Sequence, residues 1–346
     1  MLLAIACFAA LPVAGGRRAM SQLRTCHGDS MPLFKLNDGN LMPAIAFGTW
    51  KIEKEDVKKA VHAALEAGYR HIDCASNYAN EDAVGEALRE ALDRGMVKRE
   101  ELYIASKLWN SDHAPEQVPK ALQKTLHDLQ LTYLDCYYVH WPVTDVSGPE
   151  LTPSTADTWH AMEGLVTSGK VRSIGVSNFS AKKLSELCLD SRTRIRPAVN
   201  QVELHPMHRQ DALLARAREL GVQMSAYAPL GSRDSTNIFH HTGAALLDHP
   251  DVKKTADELG RTPGQVLLRW PVQRGTCAVT KSVSPERIRA NVDVLSWELS
   301  PEQMDKLGTI EPQVRFISGD LFLNEHGPYK DLSQLWDEDT QSAHPA

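Results

Sequence analysis

From about Ile45 onward the chain alternates short apolar runs with longer amphipathic ones. The apolar runs are AIAFG (44–48), HIDCA (71–75), LYIASK (102–107), LDCYYVH (134–140), VRSIGVSN (171–178), AVNQVEL (198–204), QMSAYAP (223–229) and CAVTK (277–281). They are apolar enough to be buried on both faces, as parallel strands flanked by helices are. Between them, EDVKKAVHAALEAG (55–68), EDAVGEALREALDRG (81–95) and PEQVPKALQKTLHDLQ (115–130) repeat their apolar residues at helical spacing. In the first, Val57, Val61, Ala64, Leu65 and Gly68 form one stripe, with lysines and glutamates opposite. Gly68 and Gly95 stand where a helix C-cap places glycine, and Pro263 in GRTPGQ (260–265) stands at a first helical position. Eight strands, most followed by a helix, predict a (β/α)8 TIM barrel; a doubly wound open sheet is the alternative.

The ends of the chain carry separate signals. Asp38-Gly39 between two apolar pairs predicts a hairpin that closes the barrel's bottom. After Trp297 the alternation stops, and the stretch from Ile317 to the end reads as a long C-terminal excursion over one mouth. The opening MLLAIACFAALPVAGG has the apolar length of a signal core, but no positive charge precedes it and Arg17-Arg18 follow. A signal peptide, an organellar transit peptide and translation from Met31 all fit that pattern. Residues 1–30 are therefore set apart as a leader, and 31–346 form one barrel domain. The cytoplasm is the expected compartment, with organellar targeting by the leader as the alternative.

Composition narrows the function classes. A net charge of −6 provides no basic field for nucleic acid, and 42% hydrophobic with 24% charged residues is ordinary for a globular protein. No membrane partner is expected, since the leader is too short and interrupted to span a bilayer. The cysteines at 7, 26, 74, 136, 188 and 277 form no CxxC pair, and Cys74, Cys136 and Cys277 sit in apolar segments, which suits a reducing compartment. No metal is expected. His240-His241 and His249 lie in a polar loop without an acid arranged beside them, and HPMH (205–208) lacks an HExxH context.

Catalytic groups in such barrels sit at the C-terminal ends of strands. Those ends read Trp50, Asp73, Lys107, His140, Ser177-Asn178, Gln201, Tyr227 and Lys281-Ser282. An aspartate, a lysine and a histidine on three consecutive strands, with Tyr78 just beyond the first, suggest proton donation beside a cation. A tyrosine at its ordinary pKa of about 10 holds its proton too tightly to be an ideal acid at neutral pH. An adjacent Lys107 ammonium lowers that pKa, while Asp73 positions the lysine and is compensated by it. His140 either orients a carbonyl oxygen beside Tyr78 or shares in the proton transfer. Such a device makes an alcohol from a carbonyl if a hydride is supplied.

No GxGxxG follows a strand and no GxxxxGK[ST] occurs. Candidate cofactor contacts are instead Ser177, Asn178 and Gln201 for a nicotinamide carboxamide and Tyr227 for stacking on its ring. The tight loop PLGS (229–232), with Leu230 and Ser232, offers its backbone to a pyrophosphate. TKSVSPERIRAN (280–291) places Lys281, Ser282 and Arg287 around a helix start, a favourable place for phosphate.

GTW (48–50), HIDCASNY (71–78), ASKLWN (105–110), YYVHWP (137–142), IGVSNF (174–179), VNQVELHP (199–206), AYAPLG (226–231) and TKSVSPERIRAN resemble, in order and in spacing, the signature segments of the aldo-keto reductases. The resemblance runs from about Leu33 to Trp336. The loop after His140 and the ending HGPYKDLSQLW look most like the plant-type aldose and aldehyde reductases. It implies a monomeric barrel that binds NADP(H) without a Rossmann fold and reduces a small-molecule carbonyl substrate. It also implies a tetrad of Asp73, Tyr78, Lys107 and His140 with Tyr78 as proton donor, and Trp50 and Trp141 lining the substrate pocket. Lys281, Ser282 and Arg287 would grip an adenosine 2′-phosphate, with Asn291 beside them, favouring NADP over NAD. Ala290 stands where many members carry a glutamate or glutamine touching adenine, Ala228 replaces a commoner serine, and the leader is no family feature. A non-catalytic nucleotide-binding subunit of the same fold is the alternative; it has no need of the complete tetrad.

Overall fold

The computed structural model describes residues 23–24, 31–145, 148–232 and 244–338. Eight parallel strands close into a barrel in chain order: β4 (Ile45–Gly48), β5 (His71–Asp73), β6 (Tyr103–Leu108), β7 (Leu134–Val139), β8 (Val171–Ser177), β9 (Val199–Glu203), β10 (Gln223–Tyr227) and β11 (Cys277–Thr280). The last pairs with the first, Ala278 opposite Ile45. Nearly every strand residue is buried, which is why the strands read as continuous apolar runs rather than as alternating ones. The barrel reading holds, and the open-sheet alternative is excluded by the closed pairing.

Helices α1 (Lys54–Glu66), α2 (Glu81–Asp93), α3 (Val118–Asp128), α4 (Thr155–Thr167), α5 (Ala181–Leu189) and α6 (Asp211–Leu220) each follow a strand. On α1 the residues Val57, Ala60, Val61, Ala64 and Leu65 are buried, while Gly68 lies just beyond its end at φ +99°. After β10 come α7 (Ala244–Asp248), α8 (Pro250–Leu259) and α9 (Pro263–Gln273); the last has Thr262 and Gln265 as a reciprocal cap and Pro263 in its first turn. Following β11, α10 (Pro285–Val292) and α11 (Pro301–Leu307) complete the ring, and α12 (Leu332–Trp336) ends the described chain.

Beneath the barrel, β2 (Leu33–Lys35) and β3 (Leu41–Pro43) form the predicted hairpin, turning at Gly39. Phe34 and Met42 plug the bottom, and Asn37 and Asn40 reach Pro197 O at 2.8 Å and Ser173 Oγ at 2.9 Å beside the starts of β9 and β8. A short β1 (Leu23–Arg24), within the stretch set apart as a leader, adds a third strand to this sheet. At the opposite mouth, Ile317, Tyr329, Leu335 and Trp336 of the C-terminal excursion pack on Trp141 and Val143 as a second apolar cluster. Among the described residues no helix is long and apolar enough to cross a membrane.

Candidate active site

Neighbouring strands bring the charged strand ends together. Asp73 on β5 stands opposite Ala105 on β6, and Lys107 lies two residues further along, on the same face of the pleat. Its ammonium donates to Asp73 Oδ2 at 2.7 Å, to Cys74 O at 2.8 Å and to Tyr78 OH at 3.1 Å. Lys107 is fully enclosed and Asp73 nearly so. Tyr78 sits in a single 3₁₀ turn, Ser76–Tyr78, which Ala79 ends in the left-handed region at φ +58°. Asn80 then donates to Thr49 O at 3.0 Å and Ile52 O at 2.9 Å, clamping this turn to the loop after β4. Those local bonds carry the phenol back over the mouth, where its ring lies 5.9 Å from the His140 ring and 6.4 Å from the Trp50 ring.

The electrostatics depart from expectation in one respect. Burial pushes Tyr78 up to about 12; Lys107 opposes this without overcoming it. The ammonium is already shared with Asp73, so less of its field is left to stabilise a phenolate. For Lys107, burial favours the neutral form, but Asp73 and then Tyr78 outweigh it and the amine stays charged. Burial, reinforced by Lys107 and His113, holds His140 well below the usual imidazole range, so it is neutral.

The residues expected to hold a carboxamide also support the charged centre. Gln201 donates to Asp73 Oδ1 at 2.9 Å, and Asn178, left-handed at φ +64°, donates to His140 O at 2.9 Å. Ser177 Oγ donates to Gln201 O at 2.8 Å and Tyr227 OH to Asn178 Oδ1 at 2.7 Å. The chain from Tyr227 to Asp73 is therefore a connected polar layer across β5, β8, β9 and β10.

One cleft of about 920 Å³ joins this layer to the phosphate candidates. Trp50, Asp73, Tyr78, His140, Trp141, Ser177, Asn178, Gln201, Tyr227, Leu230, Ser232, Lys281, Ser282, Arg287 and Asn291 all line it. Of the predicted site residues only Lys107 does not; it is fully enclosed and meets the cleft through Tyr78 and Asp73, which line it. Ala290 is also on the wall, its carbonyl accepting from Gln265 Nε2 at 3.0 Å, and Asn291 Nδ2 reaches Thr280 Oγ1 at 3.2 Å. Of the histidines weighed as metal candidates, His249 caps α8 and His205 bonds Glu203, while 240 and 241 lie outside the described residues.

The sequence reading missed part of the apolar wall. Trp109 packs edge-on to His140 at 5.2 Å, and Phe322 lies 4.7 Å from Trp141. Ile317, Leu321 and Lys51 line the same end. Trp109 had a legible signal, since it follows a strand end as Trp50 and Trp141 do; for the C-terminal residues the sequence predicted an excursion over one mouth, but only folding decides which of its side chains reach the cleft.

Comparison with known proteins agrees with this geometry. The aldo/keto reductase family pattern matches residues 44–311. Aldo-keto reductase family 4 member C11 of Arabidopsis thaliana is 44% identical over 317 residues, 89% of this chain and 98% of that protein. Aldo-keto reductase family 1 member A1 of Homo sapiens is 44% identical over 295 residues, 82% and 90% of the two chains. The crystal structure of a Bombyx mori aldo-keto reductase in complex with NADP superimposes with a TM-score of 0.78 at 35% identity, covering 88% of this chain and all (100%) of that one.

Proposed function

The chain belongs to the aldo/keto reductase family, and from that premise we propose that it is an NADPH-dependent reductase of aldehydes and ketones, aldoses and reactive carbonyls among them, of the aldehyde/aldose reductase type. One observation carries the reading: a buried lysine ammonium bridges Asp73 Oδ2 and Tyr78 OH at the wall of a deep cleft. NADPH, when bound, supplies a hydride.

The cleft's own residues suit that cofactor. The polar layer and the Lys281–Arg287 cluster share one continuous cavity, as the two ends of a dinucleotide require. Ser177, Asn178 and Gln201 are the carboxamide ligands and Tyr227 the ring platform. Leu230 and Ser232 offer a loop whose Ala228, Gly231 and Ser232 have positive φ, exposing backbone to the cleft. Lys281, Ser282 and Arg287 beside the Ser284-capped start of α10 provide cations and N–H groups for a 2′-phosphate, with Asn291 behind them. That preference favours NADPH over NADH.

The remaining chemistry is proton management by the chain. Tyr78 retains its proton at neutral pH and donates it to the carbonyl oxygen as negative charge develops there. The Lys107 ammonium, held charged by Asp73, stabilises the phenolate left behind. His140, neutral, donates a hydrogen bond to the same oxygen rather than a proton, which favours the orienting role over the shared transfer. Trp50, Trp141 and Trp109 exclude water around the reacting carbon. NADPH consumption with a panel of small aldehydes and ketones tests the reading. Tyr78→Phe should lower turnover by about 10²–10⁴-fold with an unchanged melting curve; undiminished turnover would remove Tyr78 from the role. The domain of 31–346 and a monomer complete the proposal, and size-exclusion chromatography with light scattering checks the latter.

A further inference from the structure

Two residues beyond Gln201 on β9, and so on the same face of the pleat, Glu203 stands at the barrel's rim with no solvent exposure. Its carboxylate accepts three hydrogen bonds: Phe316 N at 2.7 Å through Oε1, Ile317 N at 2.7 Å through Oε2, and His205 Nε2 at 2.8 Å through Oε1. His205 is itself fully buried and stacks on the Phe316 ring at 4.8 Å. Two adjacent backbone N–H groups pointing at one carboxylate fix both the position and the direction of the chain that bears them. That chain is the start of the C-terminal excursion. Ile317 lines the cleft, and Leu321 and Phe322 follow it onto the substrate wall. At the other end, Asp337 accepts from Ser180 Oγ at 2.5 Å and Lys183 Nζ at 2.6 Å, so residues 318–336 are strung between two anchors.

Resting on the reductase reading, we infer that Glu203 is a positioning residue for substrate selectivity: its carboxylate grips the Phe316 and Ile317 amides and so sets where the Ile317–Phe322 wall stands over the carbonyl site. A carboxylate suits that grip, since its two oxygens offer an acceptor to each amide, whereas an amide or hydroxyl in its place offers fewer acceptor lone pairs. Glutamine at 203 keeps the shape but presents an NH₂ to one of the two N–H donors, which turns one anchor bond into a repulsion. Gln201, the tetrad and the Lys281–Arg287 cluster are untouched by that change. A selectivity effect is thereby separable from an effect on cofactor or chemistry.

The test compares Glu203→Gln with the native enzyme on a small aldehyde, propanal, and on a bulky aromatic one, naphthaldehyde. The expected result is a KM for naphthaldehyde raised about ten-fold or more, with kcat for propanal and the dissociation constant of NADPH each within about two-fold of native. Phe322→Ala should move the same KM in the same direction, and Glu203→Asp should restore part of it. Equal losses on both aldehydes, or weakened NADPH binding, overturn the inference. Amide hydrogen exchange of the native protein reads the grip without any activity: Phe316 and Ile317 should exchange as slowly as β9 amides. Exchange of both at loop rates overturns it even if Glu203→Gln does not fold, and slow exchange without any carbonyl reduction leaves the grip standing while refuting the reductase reading.

Discussion

Replacing Lys107 with methionine keeps roughly the stem volume and deletes the charge at the centre of the site. In the native protein the ammonium makes three hydrogen bonds with no exposure to solvent, and Asp73 depends on it and on Gln201 Nε2. The variant leaves an uncompensated carboxylate and an unpaired Cys74 carbonyl in the interior. Breaking one partner of a buried pair costs about 3–5 kcal/mol, a large part of the about 5–15 kcal/mol that holds a domain folded. Lys54→Met, which breaks the Lys54–Asp82 pair with both side chains about half exposed, provides the contrast and should cost less than about 1 kcal/mol. The assay is urea unfolding followed by circular dichroism, with Lys107→Met, Asp73→Asn and the double variant closing a cycle. The double variant should be more stable than the summed single losses by about 0.5–3 kcal/mol, because it leaves no buried charge without a partner. A Lys107→Met cost near that of Lys54→Met, or strictly additive losses, would refute the argument that Asp73 and Lys107 exist in the interior only as a compensated pair.

Three further outcomes follow from the same geometry. The rate of carbonyl reduction should be flat through neutral pH and fall only on the alkaline side, because burial raises Tyr78 to about 12 and so keeps the acid protonated, and lowers His140 so that it stays neutral; an acid limb in the ordinary histidine range of the pH–kcat profile would contradict a neutral His140. Arg287→Ala should weaken NADPH by about 10–100-fold while leaving NADH nearly unaffected, as loss of about 1.5–3 kcal/mol from a charge-assisted bond to a 2′-phosphate predicts; fluorescence titration with both cofactors measures it. Gly175→Ala on β8 should lower stability by about 1–3 kcal/mol in urea unfolding, since the added methyl meets the Tyr138 ring at 2.6 Å and Val199 O at 2.7 Å inside the barrel.

Much of the site could be read before folding because barrel geometry turns a one-dimensional rule into a place. Asp73, Lys107, His140, Gln201 and Tyr227 each end or follow an apolar run, and a parallel barrel gathers those ends at a single mouth. Ser177 and Asn178 were legible for the same reason, but their bonds to Gln201 O and His140 O were not. Those bonds depend on which strands lie next to each other and in what register, and on a left-handed Asn178 that the string of letters does not reveal. Glu203 lay in plain sight within VNQVELHP, yet the two backbone amides it accepts from, those of Phe316 and Ile317, lie 113 and 114 positions further along the chain.

The sequence by itself determined the eight strands, their order and a parallel sheet covered by helices, because burial on both faces forces continuous apolar runs and amphipathic helices must cover them; that the sheet closes into a barrel rather than staying open was decided by the pairing of its last strand with its first. It also determined which side chains stand at the mouth, since a strand's C-terminal end is a local property. Tertiary structure alone decided the balance of charge and the shape of the cleft's apolar wall. The Tyr78 proton is held more tightly than adjacency to a lysine suggests, because burial and the sharing of Lys107 with Asp73 are properties of the packed interior. The wall of Ile317, Leu321 and Phe322 stands where it does because a carboxylate on a distant strand accepts two of its backbone N–H groups, a long-range bond that no local pattern encodes.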